Sequence, residues 1–193
     1  MGTLQKRFRW LLVPLLILVV IVAQNKIKGE LAWKEGQGLA RAGNWEQGIE
    51  KYIEAQQYLP YSSELKFYLG AAYAKIGRSE LAIDLITSSM EGLSDKNQYI
   101  ALGKAHIDNN DYKLAESTLT RVLYYYPALL SPHYWLSRAY YEQGNIERAK
   151  HELQIIIEAE NTLNSAEIEQ VKTDARRALQ ALGEQRSGER QNF

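Results

Sequence analysis

The sequence predicts an all-α protein built as a solenoid of four helix pairs, and three superposed spacings predict it. Gly36, Gly70, Gly103 and Ser137 follow one another at intervals of 34, 33 and 34 residues. Gly48, Ala82, Ala115 and Ala149 repeat those intervals, and so do Gly43, Gly77, Asn110 and Gly144. Two small residues per unit with a turn residue between them mark a helix–turn–helix unit of about 34 residues. Units of this kind bury their apolar faces only against one another, and the stacked product works by offering a surface.

The chain opens with a leader, residues 1–28. Trp10 to Ala23 is an unbroken run of fourteen apolar residues, WLLVPLLILVVIVA, preceded by Lys6, Arg7 and Arg9 and followed by Gln24, Asn25, Lys26 and Lys28. Two readings stand side by side. In one, residues 9–25 form an uncleaved signal anchor, short for the roughly 20 residues that about 30 Å of hydrocarbon demands and helped by snorkelling basic ends and Trp10. In the other, the leader is a signal peptide cleaved after Ala23, with a large Ile21 where a small residue is preferred. The basic residues before the run place the N-terminus in the cytoplasm. The expectation is therefore a single-pass membrane protein whose body is extracytoplasmic, periplasmic if bacterial.

Four units follow at about 29–62, 63–95, 96–129 and 130–160. In the second, SSELKFYLGAAYAKIG is a first helix with Ser62 or Ser63 as its cap and Gly77 as its stop. RSELAIDLITSSM is its partner, with Ala82 and Ile86 inward. The fourth repeats the plan as SPHYWLSRAYYEQG and NIERAKHELQIII, with Pro132 near the helix start, where its missing N–H is harmless. The first and third units close on Pro60 and Pro127. Small residues let paired helices approach, since interiors are packed to crystal-like density. Ser165 to Leu182 is a further amphipathic helix, with Ile168, Val171, Ala175, Leu179 and Leu182 on one face. It is expected to cap the stack over 165–182. Residues 183–193, GEQRSGERQNF, are polar and expected to be disordered.

These units resemble tetratricopeptide repeats. Leu69-Gly70, Tyr73 and Ala82 match that pattern in the second unit. Leu102-Gly103, Ala115 and Pro127 match it in the third, with His106 in place of the aromatic. Leu136, Tyr140 and Ala149 match it in the fourth, with Ser137 for Gly, and Gly36, Tyr52 and Pro60 in the first, where Glu35 and Gly48 depart. The resemblance implies a right-handed superhelix whose first helices line a concave groove. It implies partner contacts at Trp33, Gln37, Phe67, Ala71, Ile100, Lys104, Tyr134, Arg138 and Tyr141. An extended peptide or a helix suits such a surface. Trp33 and Gln37 stand where a carboxylate clamp for chaperone tails would begin, which argues against that subclass.

Composition narrows function further. The chain has 193 residues and a formal charge of zero, but residues 1–28 hold five basic groups and no acid. The remaining 18 of the 23 basic residues face all 23 acidic ones, a formal −5 for the body. An acidic body is a poor match to phosphate backbones, so no nucleic-acid partner is expected. With no cysteine, disulfides, thiolate metal sites and a Cys nucleophile are excluded. His106, His133 and His151 are scattered; Glu147 and His151 share a helix face but lack a third ligand. No phosphate loop or nucleophile elbow is present. No catalytic residue, cofactor or metal is assigned.

Tyr124, Tyr125 and Tyr126, with Tyr134, Trp135, Tyr140 and Tyr141, form a dense aromatic cluster. Packing between repeats, with one or two tyrosines left exposed, is its first reading; a patch at Tyr124, Tyr125 and Trp135 that anchors a protein or stacks on a glycan is the second. The leading expectation for function is a noncatalytic, membrane-anchored adaptor that holds protein partners of a cell-envelope complex. The alternative comes from Leu93 to Ile157, which resembles the soluble tail of O-antigen polymerase/ligase-type membrane proteins. That likeness implies an accessory in surface-polysaccharide assembly.

Overall fold

In the computed structural model, backbone is described for residues 2–91, 95–159 and 166–190, and side chains for these except 2–12, 167 and 184–190. The described residues fold as helices alone: α1 (Gly2–Arg41), α2 (Trp45–Tyr58), α3 (Ser63–Lys75), α4 (Ser79–Ser89), α5 (Lys96–Asp108), α6 (Tyr112–Tyr125), α7 (Leu130–Glu142), α8 (Ile146–Glu158) and α9 (Ala166–Arg190). Each helix packs most extensively on its sequence neighbour, and the pairs α1·α2, α3·α4, α5·α6 and α7·α8 are the four repeats.

The small residues act where the periodicity places them. A Cβ on Gly36 would stand 2.8 Å from the Tyr52 ring, and one on Gly103 would stand 2.6 Å from Leu119 Cγ. Bare backbone at these points is what lets the two helices of a repeat close. Between them the turn residue takes the left-handed conformation: φ is 84° at Gly43, 77° at Gly77, 63° at Asn110 and 74° at Gly144. Asn is the L-residue that best tolerates this region, so the third repeat keeps the same turn without glycine.

Side chains cap the starts of α3, α5 and α8. Ser62 Oγ accepts from the Leu65 N–H at 3.2 Å. Asp95 and Gln98 form a reciprocal capping box: Asp95 Oδ1 accepts from the Asn97 and Gln98 amides, and Gln98 Oε1 accepts from the Asp95 amide. The same Gln98 donates from Nε2 to Ser89 Oγ at 3.0 Å, fastening the second repeat to the third.

The core runs between the layers. Ala32, Ile49, Tyr52, Ala55, Leu65 and Leu69 fill the first part, Ala82, Ile86, Leu102 and Ala105 the middle. Ala115, Leu119, Leu136, Leu153, Ile156, Ala175 and Leu182 fill the last. Ala175 and Leu182 bring α9 into this final core, and the buried Lys172 donates from Nζ to the Ala159 carbonyl at the end of α8. The helix of α9 continues past Leu182 to Arg190, over most of the stretch expected to be a disordered tail; residues 191–193 lie outside the described residues. From α3 onward the odd-numbered helices touch one another across repeats (α3·α5, α5·α7, α7·α9), whereas no comparable contact joins the described even-numbered ones. The odd helices are thus the inner layer.

The leader departs from expectation. No helix among the described residues is long and apolar enough to cross a membrane. This overturns the anchor over 9–25 and, with it, the single-pass protein with a cytoplasmic N-terminus and an extracytoplasmic body. The whole apolar run, the fourteen residues Trp10–Ala23, spans about 21 Å at the helical rise, short of the roughly 30 Å required; Gln24, Asn25 and Lys26 end it. The beginning of the expected span, residues 9–12, lies outside the residues whose side chains are described. The leader is also not a separate element. It runs without interruption, Pro14 included, into the first helix of the first repeat.

Candidate partner-binding groove

Two rows of side chains run along the inner layer, one helical turn apart. Gln37, Ala71, Lys104 and Arg138 form the first, at intervals of 34, 33 and 34 residues, on α1, α3, α5 and α7. Arg41, Lys75, Asp108 and Glu142 form the second, at the same intervals. The first row contains four of the residues expected from the repeats. The second was readable from the same period but carries no small or aromatic residue to draw attention to it.

At the α1–α3 end, Gln37, Arg41, Tyr52, Tyr68, Ala71 and Lys75 line a cavity of about 250 Å³. Its walls are apolar and its mouth carries two cations. Lys75 Nζ stands 5.6 Å from the centre of the Trp45 ring. Burial, with Tyr68 nearby, raises the Tyr52 phenol above its ordinary value. In mid-groove, Lys104 Nζ and the Arg138 guanidinium stand 5.0 Å and 5.8 Å from the Trp135 ring centre, and Arg138 pairs with Asp108 at 3.2 Å. The Lys104 amine is held below its usual value by burial first and by repulsion from Lys75 next, with Asp108 pulling the other way. At the α7–α9 end, Tyr134, Ser137, Arg138, Tyr141, Ala178 and Leu182 line a second apolar cavity of about 270 Å³.

The remaining expected contacts divide. Trp33 is half-buried, its ring 6.0 Å from Tyr68, and its Nε1 is buried with no hydrogen-bond partner among the described residues. Phe67 is half-buried against the middle core and meets Tyr68 edge-on at 5.7 Å. Both brace the groove as much as they line it. Ile100 is half-buried on α5. Tyr134 packs edge-on against Trp135 at 5.3 Å, and Tyr141 is exposed at the groove's far end.

The aromatic cluster is not one patch. Trp135 belongs to the groove, and Tyr140 is buried. Tyr124 and Tyr125, 81% and 63% exposed, pair edge-on at 5.1 Å at the end of α6. Beside them Lys96 and Arg121 stand over the Tyr126 and Tyr99 rings at 5.5 Å and 5.3 Å, around a cavity of about 220 Å³. Packing between repeats therefore accounts for Tyr140 and in part for Trp135, and it leaves Tyr124 and Tyr125 exposed.

Among the described residues no three His, Cys, Asp or Glu side chains gather as metal ligands. His133 and Glu152 do meet, Nδ1 to Oε2 at 2.6 Å between α7 and α8, as a largely buried pair that joins the helices of the fourth repeat.

The family model for the second ARM domain of tetratricopeptide repeat protein 21 matches residues 46–170, well over half of the chain. The chain belongs to this tetratricopeptide-repeat family. No curated protein matches the sequence. Among solved structures, the repeats are similar to MamA (residues 41 to the end) of Desulfovibrio magneticus RS-1. That likeness has a TM-score of 0.65 and 17% identity over 71% of this chain and 78% of that one. They are also similar to a thermophilic tetratricopeptide protein of Thermus thermophilus, with a TM-score of 0.62 and 16% identity over 78% and 82%. At these identities the likeness establishes the tetratricopeptide fold and leaves the groove's side chains as this chain's own.

Proposed function

We propose that this tetratricopeptide-repeat chain is a noncatalytic adaptor that holds a protein segment in the groove of its inner helix layer. One observation carries the reading: the two cavities and the Lys104–Trp135–Arg138 cluster lie along one continuous face, from α1 to α9. Large aromatic side chains and guanidinium groups at the centre of a surface are the residues that dominate interface energies. A partner in extended or helical form lies along such a face. The expectation of an envelope complex is tied to a membrane-spanning leader and is not carried over.

Photo-cross-linking tests the groove. A benzoylphenylalanine at Ala71, in the groove, should capture a defined partner from native extract, whereas one at Leu114, exposed on α6, should not. Capture from Leu114 with none from Ala71 would move the binding site to the opposite face.

A second reading, an accessory in surface-polysaccharide assembly, draws support from the exposed Tyr124–Tyr125 pair beside Arg121 and Lys96. Aromatic faces stack on sugar rings. Titration with purified polysaccharide tests it: quenching of tyrosine fluorescence that disappears in Tyr124→Ala/Tyr125→Ala supports this role, and an unchanged spectrum rejects it.

A further inference from the structure

The groove's charge is opposite to that of the body around it. Arg41, Lys75, Lys104 and Arg138 stand against Asp108 and Glu142 in the two rows, while residues 29–193 as a whole carry a formal −5. Among the described residues Arg41, Lys75 and Lys104 form no ion pair, and only Arg138 has a carboxylate on it, that of Asp108. A cationic stripe with low-dielectric walls, set in an acidic surface, focuses field onto an anionic ligand. The stripe ends in an apolar cavity at each end.

We infer that the groove takes an extended acidic peptide segment with two large apolar side chains, one seated between α1 and α3 and the other between α7 and α9, with carboxylates against Lys75 and Lys104 between them. The inference rests on the groove reading above and deepens it. Neighbouring helices pack 8–10 Å apart, so the cavities are roughly 27 Å apart, three helix steps. An extended chain at about 3.3 Å per residue spans that with about eight residues. The lowered Lys104 amine adds a reason for an acid in particular: its charge is disfavoured by burial and by Lys75, and the opposite charge of a ligand carboxylate beside it offsets both. A basic segment would compound the repulsion already present.

The test is fluorescence anisotropy with the full chain and fluorescein-labelled synthetic peptides. One carries Phe and Leu eight residues apart with Glu at alternate positions between them; a second replaces Glu by Lys; a third replaces one anchor by Ser. The acidic two-anchor peptide should bind at least tenfold tighter than either counterpart, and its affinity should fall with added salt. Lys75→Glu/Lys104→Glu should lose at least tenfold while Lys104→Arg stays within threefold of wild type, and circular dichroism establishes that each variant is folded. Ala71→Trp, which fills the first cavity, should also lose tenfold. Equal or tighter binding of the Lys peptide overturns the inference; if Ala71→Trp abolishes that binding, the groove is still the site and only the charge assignment fails. Binding indifferent to Ala71→Trp and to the charge reversal places the peptide outside the groove and overturns the inference. Failure of the acidic peptide to bind overturns the inference alone, since cross-linking from Ala71 still decides the groove.

Discussion

The Tyr140 hydroxyl donates a 2.8 Å hydrogen bond to Glu116 Oε1 across 24 residues, tying the fourth repeat to the third. Arg148 completes the knot from α8, 3.2 Å from the same oxygen and 5.0 Å from the centre of the Tyr140 ring. Burial first, and then the bond to Glu116, push the Tyr140 phenol up to about 12 from 10.0. The folded state therefore holds this proton after the unfolded chain has released it. The contribution is complete below pH 10 and is lost as pH rises through about 12. Tyr140→Phe should cost about 1 kcal/mol, the net worth of one such bond. Chemical denaturation at pH 7 and pH 11 should show the difference between wild type and variant narrowing at the higher pH.

Gly103 and Gly38 predict opposite signs for one substitution. A Cβ at Gly103 meets the Leu119 side chain at 2.6 Å, whereas one at Gly38 meets nothing within 4 Å. Gly103→Ala should destabilise by about 1–3 kcal/mol through overpacking. Gly38→Ala should stabilise by about 0.5–1 kcal/mol through helix propensity. Thermal melts of the two variants check both signs.

The turn at Gly77 (φ 77°) and its counterpart at Asn110 (φ 63°) give a third prediction. Gly77→Ala should cost about 1–2 kcal/mol, the usual penalty of a left-handed L-residue. Gly77→Asn, which copies the solution the third repeat already uses, should cost visibly less. Equal losses would show that the Asn side chain contributes nothing at Asn110.

Lys104 is held in the groove at a loss. Its folded-state amine is depressed by burial and by Lys75, so stability should rise with pH as the charge is removed, up to its ordinary value of 10.5. Lys104→Met should raise stability at pH 7 by about 0.5–1 kcal/mol, as replacement of a poorly compensated, partly buried charge by an apolar chain does. Denaturant titration at pH 7 and pH 10 should show this gain shrinking at the higher pH.

The repeats were legible because their constraints are steric and local. Gly36 against Tyr52, Gly103 against Leu119 and the left-handed turns each require a particular small or permissive residue at a fixed spacing. The groove was legible only in part. Lys104 and Arg138 share the position of Ala71 in the repeat, but whether a residue lines a groove or braces it depends on the packing of a neighbouring helix. Trp33 and Phe67, half-buried against the core and in ring contact with the groove's Tyr68, do some of each for that reason. Arg41, Lys75 and Asp108 kept the same period, yet charged residues at helix ends read in sequence as ordinary solvated surface. The leader misled because snorkelling basic ends and Trp10 were expected to make up for the shortness of its apolar run, and no helix among the described residues is long and apolar enough to cross a membrane. Its continuity with the first repeat depends on the absence of any turn sequence before Gly43.

That continuity makes α1 a shaft whose angular phase is transmitted. Residues Val13–Val22 and the groove residues Gln37 and Arg41 sit on one helix of 40 residues with no joint between them. Each residue advances a helix by about 100°. One residue inserted near Ile27 would swing the apolar end about a third of a turn relative to the groove, and seven would return it to within about 20°. Whatever grips the apolar end therefore sets the compass bearing of the groove, and chain length between them acts as an indexing gear.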